Sequence, residues 1–485
     1  MAKSDVSNIP TFGEVAAEDD AILEYFVQTD SVNTVANGIK FLILGRKGSG
    51  KTALFRYFNE RQPSGSLSLA LNLRGYPWSM HARRNDPEAA TAEQYEASWK
   101  YVIVTEFAQM VLSKMTGTSK WTEPAKALQS FFQQNYGGTD VTLEDILRPV
   151  TLKLSKASFE PTILGCKLFS ISLERDNNQA GLSRELNALS DAIFEAASYI
   201  SKREGLEKIL LHFDELDQGM VDYDEQRQLM LIGLILACRS INQSSVKKSV
   251  NLKTIVYLRS DMWERLTFSD KNKITMTNKS EIKWDEESLR KLIDLRIQKY
   301  LPNSTWTDIC DDELMRGRQP KLTHIVARTF DRPRDVISFM NNMLEVSKAR
   351  RALPGEAPVF TNKDVVAART DYSNYLKAEL DDEINPHWEE WSQALLVISG
   401  LGKLSFSKSS FTTAYNATKL AQMVPSEEAI KVLYEFSVVG TYKVSSGYGG
   451  SGWSFRYKDM GSKWDENADS FKLHLGLKEY ASVNE

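Results

Sequence analysis

The sequence has few cysteines and no cysteine pair. Its three cysteines, Cys166, Cys238 and Cys310, are an odd number and are widely spaced, without a C-x-x-C motif. This pattern indicates neither a disulfide framework nor a thiolate zinc site. A reducing cytoplasm is therefore the expected compartment.

Long hydrophobic runs are also missing. No stretch approaches the roughly 18 apolar residues that a membrane-spanning helix needs. The N-terminal Met-Ala-Lys-Ser-Asp lacks the hydrophobic core of a signal peptide. We therefore expect a soluble cytoplasmic protein without a membrane partner.

Positive charge is not in excess. The chain has 60 Lys and Arg against 64 Asp and Glu, a formal net charge of −4, which argues against a protein that coats nucleic acid along its whole surface. A local basic patch stays compatible with this charge. The 485 residues, 42% of them apolar, are enough for two or three domains with their own cores.

Residues 40–52 form the most informative stretch, Lys-Phe-Leu-Ile-Leu-Gly-Arg-Lys-Gly-Ser-Gly-Lys-Thr. It predicts a strand buried on both faces, a glycine loop whose backbone N–H groups converge on phosphate, and the start of a helix. In such a P-loop, Lys51 reaches the β- and γ-phosphates and Thr52 ligates Mg²⁺. A chance glycine turn is the alternative, and the flanking strand and helix argue against it. The predicted nucleotide-binding residues are Gly45, Arg46, Lys47, Gly48, Ser49, Gly50, Lys51, Thr52 and Ala53.

A second apolar run ends in paired acids. Residues 208–217 read Lys-Ile-Leu-Leu-His-Phe-Asp-Glu-Leu-Asp, the pattern of a Walker B strand. In this interpretation Asp214, together with Thr52, holds Mg²⁺, and Glu215 polarises the attacking water. The alternative is an ordinary strand that ends in a solvated acidic turn, but the upstream P-loop favours the functional interpretation.

Two neighbours of these acids have other expected roles. His212 alternates in direction with its strand neighbours, so we expect a packed, hydrogen-bonded histidine rather than a catalyst. Asp217 is either a further acid of the site or a turn residue.

Three more strands are predicted, at 67–74, 252–261 and 274–277. Arg259 stands at the end of the 252–261 strand, where an arginine can sense the γ-phosphate. The alternative is a local ion pair with Asp261 or Glu264.

The rest of the chain predicts the domain organisation. Residues 1–284 form the core, in which helical and β-hairpin insertions occupy about 75–175, the helical part at 91–135 and the hairpin at 150–175. These insertions are either assembly surfaces or core-covering elements. Residues 1–15 are expected to be weakly ordered, and 17–28 to form an amphipathic helix.

A helical lid is predicted at 285–380. Its helix beginning at Pro333 is flanked by Arg332 and Arg334, which either face the nucleotide or lie in solvent. At 388–485, three helices and a hairpin fit a winged-helix domain. We count 10 Lys and Arg against 11 Asp and Glu there, so a protein-contact or autoinhibitory module is favoured over a DNA reader.

With these motifs in place, the chain resembles a family of bacterial P-loop ATPases related to AAA+, STAND and origin-recognition ATPases. The resemblance depends on residues 40–52, Phe213–Asp217, Leu258–Asp261, Arg332–Asp335 and Phe471–Leu477. It implies an α/β fold of the additional-strand P-loop type with a parallel sheet in the order 5-1-4-3-2, a helical lid and a C-terminal winged helix. It also implies ATPase activity with ATP and Mg²⁺ as cofactors, and a place in antiphage defence or stress signalling.

The resemblance implies a role for each matching residue. Lys51 and Thr52 take the phosphate and Mg²⁺ roles. The Walker B roles fall to Asp214 and Glu215. Arg259 and Arg334 are the two sensor arginines, although the choice between Arg332 and Arg334 stays open because Asp331 stands where a glycine is common. The predicted catalytic residues are therefore Glu215, Asp214, Arg259 and Arg334.

Three functions follow as hypotheses. The leading one is a slowly hydrolysing ATP switch that controls homo-oligomerisation or a protein effector, since no toxic effector domain is recognisable in the chain. The second is a DNA-binding, origin-recognition-like initiator or loader. The third is a nucleotide-bound scaffold that does not hydrolyse.

Overall fold

The computed structural model describes residues 3–38, 40–61, 66–84, 91–117, 120, 122–148, 162–163, 166–167, 179–216, 224–443, 452–459 and 461–484. The chain divides into two compact units. The sheet unit comprises Gln28–Lys47 and Lys51–Ile282, and the helical unit comprises Met1–Val27, Gly48–Gly50 and Lys283–Glu485.

The sheet unit alternates strands and helices along the chain. Its elements are α1 (Asp30–Ala36), β1 (Leu42–Gly45), α2 (Lys51–Glu60), β2 (Ser66–Asn72), α3 (Trp78–Arg84), α4 (Ala92–Leu112), α5 (Glu123–Tyr136), α6 (Leu143–Leu147), β3 (Thr162–Ile163), β4 (Cys166–Lys167), α7 (Gln179–Arg203), β5 (Lys208–Asp214), α8 (Glu225–Lys247), β6 (Leu252–Arg259), α9 (Ser260–Arg265), α10 (Lys271–Thr277) and β7 (Lys279–Glu281).

Five of these strands form one parallel sheet in the order β2-β5-β6-β1-β7. With β1, β2, β5, β6 and β7 counted as strands 1 to 5, this is the predicted order 5-1-4-3-2, which is thus confirmed. Every residue of β1 is buried, as a strand with helices on both faces requires. The order brings the carboxyl ends of β1, β5 and β6 to the same edge of the sheet.

The position of the fifth strand was predicted wrongly. Residues 274–277 belong to α10, and the strand follows at 279–281. The threonines in Ile-Thr-Met-Thr favour a strand by propensity. Thr275 and Thr277 instead donate their hydroxyls to carbonyl oxygens four residues earlier, a hydrogen bond that helices accommodate.

Helices cover both faces of the sheet. α2 packs on β2, β5 and β1, while α8 packs on β6 and is itself covered by α4, which also packs on α7. α4 and α8 approach closely at Gly233, where an added Cβ would lie 2.5 Å from the Tyr95 Cβ. The predicted helical insertion thus contributes core, with Trp99 and Phe107 fully buried.

Within the described part of the chain, α8 is the one helix long and apolar enough to cross a membrane. Of its most apolar window, 61% is buried inside the unit. A helix packed between a sheet and α4 needs the same apolar composition, so packing accounts for it.

The predicted hairpin at 150–175 lies mostly outside the described residues. Its two described pieces, β3 and β4, pair antiparallel, with Ile163 opposite Cys166.

The helical unit has two parts in sequence. Four helices, α11 (Glu286–Tyr300), α12 (Lys321–Val326), α13 (Pro333–Arg351) and α14 (Asn362–Ile384), come first. They are followed by α15 (Trp391–Leu401), β8 (Ser405–Ser407), α16 (Lys408–Asn416), α17 (Ser426–Glu435), β9 (Val439–Lys443), β10 (Gly452–Ser454) and β11 (Ser470–Leu473).

The last four strands form an antiparallel sheet in the order β10-β9-β11-β8. The predicted hairpin corresponds to β9 and β10, with Tyr442 paired to Trp453, and its tip at 444–451 lies outside the described residues. Three helices, α15, α16 and α17, precede the hairpin as predicted, although the middle one begins earlier, at Lys408. The winged-helix assignment stays a prediction.

The N-terminal segment differs from expectation. Val6, Ile9 and Phe12 are at most 1% exposed in the core of the helical unit. The backbone of Val6 donates to Pro358 O at 2.9 Å, and residues 17–28 contain a short 3-10 turn, Ile22–Glu24, in place of the predicted helix. The segment is ordered by partners some 350 positions away along the chain, which local composition does not reveal.

Candidate nucleotide-binding site

The glycine loop has the backbone that the sequence pattern requires. Gly48 and Gly50 adopt φ of 77° and 98°, in the left-handed region that a Cβ penalises. Lys51 begins α2, and its ammonium donates to the carbonyl oxygens of Gly45 and Arg46, both at 3.1 Å. The loop thus curls over its own lysine.

The remaining predicted loop residues follow this course. Gly45 ends β1, Arg46 and Lys47 follow it, and Thr52 and Ala53 lie in the first turn of α2. Ser49 is 5% exposed, and its carbonyl oxygen accepts a hydrogen bond from the Trp284 indole N–H at 2.9 Å.

Asp214 ends β5 and is 2% exposed. It accepts hydrogen bonds from the Thr52 hydroxyl and the Glu215 backbone N–H, while its Oδ2 has no hydrogen-bond partner among the described residues. Burial raises the pKa of Asp214 to about 6, although the positive charge of Lys51 acts in the opposite direction. Asp214, more than 160 residues away in sequence, is therefore brought next to Lys51 and Thr52.

Glu215 follows with an unusual backbone. Its φ of 57° is left-handed for a residue with a Cβ, a strain of roughly 1–3 kcal/mol that tends to occur at functional sites. The side chain is 9% exposed. Its Oε2 lacks a hydrogen-bond partner in the described part of the chain and lies 3.8 Å from Arg74 Nε.

Arg74 is a site neighbour that the sequence analysis missed. It follows β2, whose register pairs Asn72 with Asp214, and the Leu73 N–H continues this ladder to Asp214 O at 3.0 Å. The predicted sheet order contained the available signal. It pairs its strands 2 and 3, which are β2 and β5 here, and so places the ends of both strands side by side.

Arg259 ends β6 opposite Gly45 in the strand register. Its Nε and Nη2 donate to the two carboxylate oxygens of Asp261 at 3.0 and 2.7 Å, which is the local ion pair that the sequence analysis named as the alternative. Partial burial raises the pKa of Asp261, but the Arg259 charge and hydrogen bonds outweigh this effect and lower it. Sensing of the γ-phosphate by Arg259 stays a prediction.

His212 is packed as expected. Its Nδ1 lies 3.0 Å from the Tyr257 hydroxyl, and the rings of Phe55 and Phe58 from α2 contact it. Burial lowers the pKa of His212 to about 3, so the ring is neutral at physiological pH. Asp217 lies outside the described residues.

The two lid arginines, both in the helical unit, have different surroundings. Arg332 is 1% exposed. Its Nε donates to both oxygens of Asp335 at 2.9 and 2.8 Å, and its Nη1 donates to Glu383 at 2.7 Å. Asp331, the residue that replaces the expected glycine, adopts φ of 50°, the conformation that a glycine favours. Arg332 is thus held by a buried ion network.

Arg334 is more open. It makes one hydrogen bond of 3.2 Å from Nη1 to Glu379, and the two side chains are 21% and 16% exposed. A Cβ added at Gly48 would lie 2.9 Å from the Arg334 Cβ and 3.4 Å from its Nε. Of the two arginines, Arg334 is therefore the one that lies against Gly48.

The donor set suits Mg²⁺. This hard cation prefers oxygen ligands and keeps several waters, so it needs only one or two protein groups besides phosphate. The unpartnered Asp214 oxygen and the adjacent Thr52 hydroxyl supply two such groups. No cluster of three or more His, Cys, Asp or Glu side chains able to hold a metal occurs in the described ranges.

Comparison with known proteins gives one family match. Residues 287–381 match the FunZ-associated C-terminal helical domain, a region that spans α11 to most of α14. This is about a fifth of the chain, so it characterises that region and leaves the family of the whole chain undecided. A search of curated proteins found no match.

Solved structures with similarity include the Orc1 protein of Aeropyrum pernix in complex with DNA, at 11% identity over 93% of this chain and 91% of that one, with a TM-score of 0.35. Cdc6p of Pyrobaculum aerophilum is similar at 10% identity over 99% and 98%, with a TM-score of 0.32. Scores this low do not establish a shared fold. The firm result is a parallel α/β sheet in which a glycine loop joins β1 to α2, followed by a region similar to the FunZ-associated helical domain.

Proposed function

We propose that this protein binds ATP with Mg²⁺ at residues 45–53, hydrolyses it slowly, and uses the nucleotide state to control its own assembly or a protein effector. The observation that supports this most is the buried Asp214 carboxylate. It has one unpartnered oxygen and lies beside the Thr52 hydroxyl and the Lys51 charge. Burying such a group without a partner is unfavourable, and a bound cation removes the penalty.

The loop residues act on the phosphates. Lys51, which donates to two carbonyl oxygens of its own loop, exchanges these for phosphate oxygens, with which it forms stronger charge-assisted hydrogen bonds. Thr52 and Asp214 would hold Mg²⁺, which neutralises phosphate charge when bound. The N-terminal end of α2 adds its positive dipole.

Glu215 supplies the base. Its unpartnered oxygen can accept a hydrogen bond from a water and orient it for attack on the γ-phosphate. The Arg74 cation 3.8 Å away competes for the same oxygen, which supports slow turnover.

The output of the switch is protein association, with a homo-oligomer or an effector as partner. DNA is not favoured. In a helix-turn-helix the last helix enters the major groove, and α17, which would occupy that place, exposes Glu427, Glu428, Lys431 and Glu435. Three acids against one base repel phosphates. Action in antiphage defence or stress signalling stays a prediction of the resemblance alone.

Two variants test the site. Lys51→Ala should weaken ATP binding about 10- to 100-fold, because a hydrogen bond to a charged group contributes roughly 1.5–3 kcal/mol. Glu215→Gln should leave ATP affinity within about threefold and lower phosphate release about 100-fold. Equilibrium binding and a phosphate-release assay measure the two effects, and Glu225→Gln, an exposed acid at the start of α8, is the control.

Each result has a clear contrary outcome. Unchanged ATP affinity in Lys51→Ala contradicts the binding site, and normal phosphate release by Glu215→Gln contradicts the base. Mass measurement with and without a slowly hydrolysed ATP analogue tests the switch. A monomer under both conditions counts against nucleotide-controlled assembly.

A further inference from the structure

The end of α14 presents two glutamates, one helical turn apart, to the two arginines that flank Pro333. Glu383 faces Arg332, and Glu379 faces Arg334. The first pair is almost completely buried and is completed by Asp335, so that three carboxylate oxygens surround one guanidinium. Such a network is structural, because removal of either partner leaves a buried charge uncompensated.

The second pair is built differently. Arg334 reaches Glu379 through one nitrogen, at 3.2 Å, which is long for a charge-assisted hydrogen bond, where about 2.7–2.9 Å is usual. A bidentate arginine–carboxylate pair would make two such bonds. The contact between Arg334 and Glu379 is therefore weak in geometry and partly open to solvent.

Further observations show what this carboxylate adjoins. The Cβ, Cδ and Nε of Arg334 lie against Gly48 of the glycine loop. Tyr375, one turn before Glu379 on α14, has a buried hydroxyl without a hydrogen-bond partner among the described residues. Burial, together with the negative charges of Asp335 and Glu379, raises the pKa of Tyr375, so it stays protonated as a neutral neighbour.

We propose that Glu379 is a positioning residue that sets nucleotide affinity. It holds Arg334 against Gly48 through one replaceable hydrogen bond, and the phosphate of a nucleoside triphosphate competes with it for the guanidinium. This inference rests on the proposed function, since it requires phosphate at the loop. The carboxylate acts against phosphate by occupying the arginine, so a phosphate must displace Glu379 from the guanidinium before it can bind there.

Glu379→Gln tests the proposal, because glutamine keeps the shape and one acceptor oxygen but removes the charge. The variant should bind a non-hydrolysable ATP analogue about 3- to 10-fold more tightly, which corresponds to roughly 0.7–1.4 kcal/mol. ADP should gain less. Asp371→Asn, which removes the same charge from an exposed site two turns earlier on α14, should leave both affinities unchanged.

A double-mutant cycle separates the positioning role from a general charge effect. Glu379→Gln should not tighten analogue binding in an Arg334→Ala background, because the competing guanidinium is gone. If Glu379 had a purely structural role, Glu379→Gln would lower the midpoint of thermal unfolding and would not tighten analogue binding. Glu379→Asp, which keeps the charge but shortens the reach to Arg334, should tighten binding about twofold and provides a milder second variant.

The outcomes distinguish this inference from the proposed function. If the wild type binds the analogue and a folded Glu379→Gln or Glu379→Asp binds it equally well or more weakly, the positioning role is wrong. It is also wrong if the tightening persists without Arg334. If the wild type does not bind the analogue, or binds it as Lys51→Ala does, the proposed function itself fails.

Discussion

The buried Asp214 carboxylate should make the protein less stable than it could be at neutral pH. Its pKa is raised from 3.8 to about 6 by burial, so the folded chain binds this proton more tightly than the unfolded chain does. Folding is therefore favoured by protonation, and the carboxylate becomes a penalty as pH rises through about 6. At about 1.36 kcal/mol per pKa unit, the penalty above pH 6 is about 3 kcal/mol.

Asp214→Asn removes this penalty while it preserves an acceptor for the Thr52 hydroxyl. Without Mg²⁺ or nucleotide, the free energy of unfolding of the variant at pH 8 should exceed that of the wild type by about 1–3 kcal/mol. The advantage should shrink below pH 6 and vanish near pH 4. The difference is measured by urea unfolding at several pH values, followed through the transition of the sheet unit. The same variant should also lose Mg²⁺-dependent phosphate release.

Asp261 provides a control of opposite sign. Its pKa is lowered because Arg259 outweighs the effect of partial burial, so it contributes stability above the unfolded pKa that is lost as pH falls through the folded value. Asp261→Asn should therefore be less stable than the wild type at pH 8. A contrary result would be that Asp214→Asn is less stable than the wild type at pH 8, by as much as it is at pH 4. The surroundings of Asp214 would then favour the ionised carboxylate, and the reasoning would be refuted.

Two further changes test the helical unit. Arg332→Met leaves two buried carboxylates without their cation and should lower the free energy of unfolding by about 3–5 kcal/mol. Arg334→Met removes a single, partly exposed ion pair and should lower it by less than about 1 kcal/mol. Equal losses for the two variants in urea unfolding would contradict this distinction. Phe12→Ala should lower the free energy of unfolding by about 3–5 kcal/mol, because this side chain lies in the core. Val15→Ala, which changes a partly exposed side chain, should lower it by about 0.5 kcal/mol. An unfolding midpoint for Phe12→Ala that matches Val15→Ala would show that the N-terminal segment does not stabilise the unit.

The parts of the site that are contiguous in sequence could be predicted. A phosphate-binding loop needs a buried strand, glycines and a helix start in immediate succession, so residues 40–52 carry the whole pattern in one string. The strand that ends at Asp214 was recognisable for the same reason, because an apolar run followed by acids has one direction and one end. His212 could be assigned to the core from its position within that run.

Tertiary structure decided what no local pattern contains. Arg332 and Arg334 stand two residues apart with the same chemistry, and only the packing of α13 on α14 gives one a buried network and the other an open contact to Glu379. Arg74 reaches Glu215 across 141 positions of sequence through strand pairing.

The sequence by itself therefore determined that this chain has a buried strand, a glycine loop at a helix start and paired acids after a second strand, because each depends on neighbours along the backbone. Which cations and carboxylates face one another depends on long-range packing. That packing fixes the burial that raises the Asp214 pKa and the partner that holds Arg334. Burial and charge pairing are properties of the folded chain, so the electrostatics of the site emerged only from the structure.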